Sequence, residues 1–129
     1  MPYLTDPIGD FLTRMRNAQA ARKTECLVPW SRIKEEICTL LVKEGWLAQS
    51  ETLGEVPHQE IRLVFVQGKP PMELKRVSKP GRRAYVKIAE LKPVLNGFGM
   101  AILTTSAGIM TDREAQVRKL GGELLCTIA

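Results

Sequence analysis

A chain of 129 residues, 44% apolar and 26% charged, can bury one or two small cores but not those of a large multidomain protein. Lys and Arg number 19 against 14 Asp and Glu; the net charge of +5 favours polyanionic partners, while about 5% aromatics is too few for stacking every base of a single strand on a ring. No apolar run reaches membrane-spanning length, the N-terminus carries no export pattern, and three scattered cysteines with one histidine give neither a disulfide framework nor zinc spacing, so a reduced cytoplasmic protein without metal, cofactor or membrane contact is expected.

Asp6-Pro7 offers a helix cap with proline at the first helical position, and Ile8, Phe11, Leu12 and Met15 then recur at i, i+3, i+4, i+7. The other faces of this predicted helix carry Arg14, Arg16, Asn17 and Arg22. Cys26 to Val28 reads as a short buried strand ended by Pro29, and Ser31 as the cap of a second helix with an Ile33, Ile37, Leu40, Leu41 stripe that stops at Gly45. Two strands follow, Trp46 to about Thr52 and Glu60 to Val66, in a sheet covered on one face.

Gly68-Lys69-Pro70-Pro71 then punctuates the chain. Charge shifts at the same place: residues 1–66 carry 8 basic and 9 acidic side chains, residues 67–129 carry 11 and 5, so the halves net −1 and +6. The expected organisation is an N-terminal α/β domain over 1–67, a helix-strand-helix-hairpin unit, and a C-terminal basic α+β domain over 68–129 with a mixed sheet and short helices. The fold class is α+β.

In the second half, Met72 to Val77 and Tyr85 to Ile88 read as strands around a Ser78-Lys79-Pro80-Gly81 turn. A short helix is expected near Glu90 to Leu95, then a strand over Met100 to Thr105, a Ser106-Ala107-Gly108 loop and a helix start at Thr111, with Glu114 completing a capping box. Gly121-Gly122 would release the chain into a last strand, Glu123 to Ile128.

Two segments offer chemistry. Lys75, Arg76, Lys79, Arg82 and Arg83 place five cations around a Pro-Gly corner, enough to hold several phosphates, although basic loops also serve solubility alone. Tyr85 beside them suits stacking on a base or sugar, or plain sheet packing. The run Thr104-Thr105-Ser106-Ala107-Gly108 offers three adjacent hydroxyls and a glycine at a strand-to-helix turn. Hydroxyls both donate and accept, so such a loop can read structured RNA, or it can simply cap local backbone groups. Ser106 as a nucleophile lacks a base, since the single His58 lies in the other half. Asp112 and Glu114 are explained by the first turn of a helix.

The C-terminal run TTSAGIMTDREAQVRKLGGELLC, the N-terminal DPIGDFLTRMRNAQAARK and the central RVSKPGRRAY together resemble the bacterial small-subunit ribosomal protein eight family, in the right order over nearly the whole chain. The resemblance implies two small packed domains, no enzymatic activity, and a cytoplasmic protein that binds the central domain of 16S rRNA directly and early in subunit assembly. In the family the hydroxyl loop, here Thr104, Thr105, Ser106 and Gly108, recognises an irregular RNA helix with support from Tyr85 and Glu123. Arg76, Ser78, Lys79, Arg82 and Arg83 join them as expected contacts, and Arg14, Arg16 and Asn17 as a second RNA contact. Neighbouring small-subunit ribosomal proteins are the other implied partners. Some members also bind a messenger that mimics the ribosomal site and repress their own operon. Two positions depart from the family pattern: Ala107 replaces a long polar side chain and Thr127 an aromatic. The rival reading is a protein-interaction adaptor that binds through an exposed apolar patch and lacks steep salt dependence with RNA.

Overall fold

The computed structural model describes residues 6–87, 89 and 99–129. They form two compact units: Phe11–Met72, and the start of the chain through Asp10 joined with Glu73–Ala129. The predicted helix near Glu90 to Leu95 lies outside the described residues.

Helix α1 (Pro7–Ala20) begins as the Asp6-Pro7 pair predicts: the Asp6 carbonyl accepts the Asp10 N–H at 2.9 Å, and its carboxylate takes the Gly9 N–H. The stripe Ile8, Phe11, Leu12 and Met15 is buried throughout. In the Phe11–Met72 unit, β1 (Glu25–Pro29) alternates, with Cys26 and Val28 inward. Helix α2 (Arg32–Lys43) starts where the Ser31 hydroxyl accepts the Lys34 N–H, at 3.3 Å, and Gly45 follows it at φ +83°. Strands β2 (Leu47–Leu53) and β3 (Glu60–Phe65) complete an antiparallel sheet of order β1-β3-β2.

Of the expected α2 stripe, Ile37, Leu40 and Leu41 are buried and only Ile33 is half-buried. Lys34 and Cys38 join the three inside. A polar residue was not counted in the stripe, yet the Lys34 stem packs inward while its ammonium reaches the Pro29 carbonyl at 3.2 Å. The unit ends at Met72 for a visible reason: its N–H donates to the Gln19 side chain at 2.9 Å and its carbonyl accepts from the same amide at 3.4 Å.

In the other unit, β4 (Leu74–Arg76), β5 (Tyr85–Val86), β6 (Met100–Thr105), β7 (Gly108–Thr111) and β8 (Gly122–Ile128) build a five-stranded sheet, with helix α3 (Asp112–Arg118) between β7 and β8. Strand β8 is the axis. It pairs with β6 on one side, and with β4 and then β5 on the other. The expected mixed sheet is antiparallel in every described pair. Met100, Ile102, Leu103, Met110, Ala115, Leu125, Cys126 and Ile128 fill its core.

Two local expectations are corrected. The hydroxyl segment is not a strand-to-helix turn, because β7 intervenes and folds back on β6 as a hairpin, Thr105 opposite Gly108. Helix α3 does start at Thr111, whose hydroxyl accepts the Glu114 N–H at 3.1 Å, but Glu114 pairs with Arg118 instead of closing the box. Its end is made by Lys119 in the left-handed conformation, φ 56°, ahead of the two glycines.

Candidate nucleic-acid interface

Strand β8 gathers residues far apart in the chain. Glu123 stands opposite Tyr85 of β5 on one side and opposite Thr104 of β6 on the other. Residues directly opposite in an antiparallel sheet project from the same face, so Tyr85, Glu123 and Thr104 form one row. A register shift between Ile102 and Leu103 puts Leu124, not Leu125, opposite Leu103 and so brings Glu123 into line with Thr104. Gly122 lets the strands meet there: a Cβ on it would lie 2.2 Å from the Thr104 carbonyl oxygen. The sequence suggests only that this glycine releases the chain into the last strand; its use as a spacer depends on which strand lies beside it.

Beyond Thr104 the chain turns through exposed Ser106 and Ala107 to Gly108, whose φ of +112° disfavours any side chain. The three hydroxyls divide their work. Thr105 is committed to the turn, donating to the Gly108 carbonyl at 2.9 Å and accepting the Ala107 N–H at 3.1 Å. The Thr104 and Ser106 hydroxyls have no hydrogen-bond partner among the described residues. The local-cap reading therefore describes Thr105 and leaves its two neighbours to a ligand or to water.

The basic corner divides as well. Lys79 and Arg82 exchange backbone bonds at 3.1 and 2.9 Å across Pro80-Gly81, and both side chains are exposed without an ion-pair partner among the described residues. Arg83 is half-exposed and pairs with Glu123 at 3.1 Å. Ser78 is fully buried; its hydroxyl donates to Glu123 and accepts the Ala84 N–H at 3.1 Å.

Arg76 turns inward. Its guanidinium grips Asp6 in a two-pronged pair, Nε to Oδ2 and Nη2 to Oδ1 both at 3.1 Å, and donates a third bond to the Leu125 carbonyl. With a side chain only 9% exposed, it braces β4 and leaves no fork for a phosphate. Burial alone would raise the Asp6 carboxyl, but the Arg76 hydrogen bonds, the Gly9 N–H and the charges of Arg76 and Arg83 outweigh it and hold the group below its ordinary value.

Arg14, Arg16 and Asn17 belong to the Phe11–Met72 unit, exposed on α1. Arg14 and Asn17 line an open depression of about 650 Å³ with Lys23, Glu25 and Cys26. Burial raises the Cys26 thiol against the pull of Arg14 and Lys23, and pushes Cys38 and Cys126 up to about 12. All three are buried free thiols, so they serve as core residues, with no nucleophile at neutral pH.

Comparison with known proteins points one way. The family model described as ribosomal protein S8 matches residues 6–129. The chain is 48% identical over 128 residues to the small ribosomal subunit protein uS8 of Dictyoglomus turgidum, covering 97% of this chain and 98% of that one. It is 49% identical over 126 residues to the uS8 of Nitratidesulfovibrio vulgaris, with the same two coverages, and 47% identical over 128 residues to that of Tolumonas auensis, with 98% of each chain covered.

Proposed function

Because the chain belongs to the ribosomal protein S8 family, we propose that it is a small-subunit ribosomal protein that binds the central domain of 16S rRNA directly and helps that domain assemble. It is a structural component of the cytoplasmic ribosome and not an enzyme. The observation that carries direct RNA binding is the row Tyr85, Glu123, Thr104 with Ser106 at its end. It offers an exposed ring, a carboxylate and two hydroxyls with no partner among the described residues, across one end of a well-packed sheet.

Attraction and selection fall to different side chains in this reading. Lys79 and Arg82 supply sequence-independent attraction to phosphates, helped by the net charge of the 68–129 half. The row and the turn supply selection. Donors and acceptors of this size suit the shallow groove and irregular bases of folded RNA, and Tyr85 adds a stacking face. Arg14, Arg16 and Asn17 form a second, weaker RNA contact. The acidic-balanced half meets neighbouring ribosomal proteins, and an operon messenger that imitates the ribosomal site would be bound by the same row.

Titration of in vitro transcribed 16S central domain and of an unrelated hairpin, at several salt concentrations, tests the reading. A clear preference for the central domain is expected, and replacing Thr104 and Ser106 by alanine should remove about 1 to 3 kcal/mol of it while binding to the hairpin stays the same. Equal affinity of the unaltered chain for both RNAs would refute direct recognition.

A further inference from the structure

The buried serine beneath the row has a consequence for recognition, and it rests on the RNA-binding reading above. Ser78 is 0% exposed, so its hydroxyl cannot touch a macromolecule. Both of its hydrogen-bonding capacities are nonetheless used: it accepts the Ala84 N–H at 3.1 Å, which forces its own proton outward, and that proton goes to Oε2 of Glu123. Arg83 Nη1 donates to the same Oε2 at 3.1 Å. Oε1 receives no donor among the described residues, and the Glu123 side chain, 13% exposed, stands between Tyr85 and Thr104.

We infer that Ser78 and Arg83 are positioning residues for recognition: by holding Oε2 of Glu123 they fix the carboxylate so that Oε1 faces an RNA hydrogen-bond donor between Tyr85 and Thr104. A carboxylate on a surface that meets polyanions repels phosphate, so its place there requires neutralisation and a fixed direction. Arg83 supplies the first, and Ser78, anchored to the Ala84 backbone, supplies the second. Arg83 is thereby separated from Arg82 in function although adjacent in the chain. Arg82 extends as a cation without an ion-pair partner among the described residues, whereas the charge of Arg83 is consumed locally. Any looseness in the carboxylate weakens a directed bond while leaving long-range attraction as it was.

The test is a double-mutant comparison on the full chain, with central-domain transcript and unrelated hairpin as probes. Ser78→Ala should lower the preference for the central domain about tenfold, with hairpin affinity and salt slope unchanged. Arg83→Ala should also lower the preference, by roughly threefold or more, and should leave the salt slope nearly as it was, unlike Arg82→Ala. In a Glu123→Ala background both substitutions should have no further effect on preference. Full additivity in that background, or a reduced slope with intact preference for Arg83→Ala, overturns the inference. If Ser78→Ala fails to fold by circular dichroism, the half-exposed Arg83 decides the matter alone. Absence of any preference in the unaltered chain would instead sink the functional reading, and with it this one.

Discussion

Each of the two sheets carries a charged row, and the rows are finished differently. In the three-stranded sheet, Arg62 of β3 lies between two carboxylates, with Nη1 3.0 Å from Glu25 and Nε 2.8 Å from Glu51, the latter a charge contact whose N–H is not aligned for a hydrogen bond. One cation there answers two anions on its own surface, half-exposed, in a closed set. In the five-stranded sheet, the carboxylate of Glu123 has one oxygen held, and its row-mates Tyr85 and Thr104 have side-chain polar groups without partners among the described residues. The first row completes a scaffold. The second leaves directed valences on a rigid frame, which is what selective binding needs.

Arg76 gives the strongest way to break this contrast, since it is a basic-corner residue that the structure assigns to the scaffold. Arg76→Ala should cost about 2 to 3 kcal/mol of stability, below the range for a fully buried pair because Asp6 keeps some solvent exposure. Its salt slope in RNA binding should remain that of the unaltered chain; a fall of a full unit would place Arg76 on the RNA. The pair also has a pH signature. The folded Asp6 carboxyl is held below its ordinary value of 3.8, so its stabilisation is complete above that value and is lost as pH falls through the folded one. Urea melts should thus separate the unaltered chain from Asp6→Asn at pH 7, with the gap closing toward pH 3. A gap as wide at pH 3 would mean the ion pair is not its origin.

Arg82→Ala sharpens the same contrast from the other side. With its side chain exposed and no ion pair among the described residues, its loss should leave the melting temperature alone and weaken every RNA similarly, reducing the log-log salt slope by about one. Selective loss on the central domain would move Arg82 into the recognition set. The smallest effect belongs to the closed row: Glu51→Gln should change stability by about 0.5 kcal/mol or less and RNA preference not at all. A measurable drop in preference would show that the three-stranded sheet takes part in selection.

Much of this was legible in local patterns. Asp6-Pro7, Ser31 and Thr111 announce helix starts because capping is a contact between residues two to four apart, and the α1 stripe follows from helical spacing. The site was legible as two separate segments, a basic corner with Tyr85 beside it and a hydroxyl run, and the resemblance joined Glu123 to them. What could not be read locally is how the side chains are apportioned. Arg76 and Arg83 look alike beside Lys79 and Arg82, yet one is spent on Asp6 and the other on Glu123. Thr105 looks like Thr104, yet its hydroxyl closes the turn.

By itself the chain's order of residues determined where α1, α2 and α3 begin, the apolar face of α1, that the second half is cationic, and the family to which the whole belongs. Only the tertiary structure decided that β8 lies between β5 and β6, that Gly122 lets them close, and that Ser78 sits under Glu123. The reason is physical. Capping and amphipathic periodicity act over one or two turns of chain, whereas strand order and register are set by burying apolar faces among segments dozens of residues apart, and a polar group's partner is known only once that packing is complete.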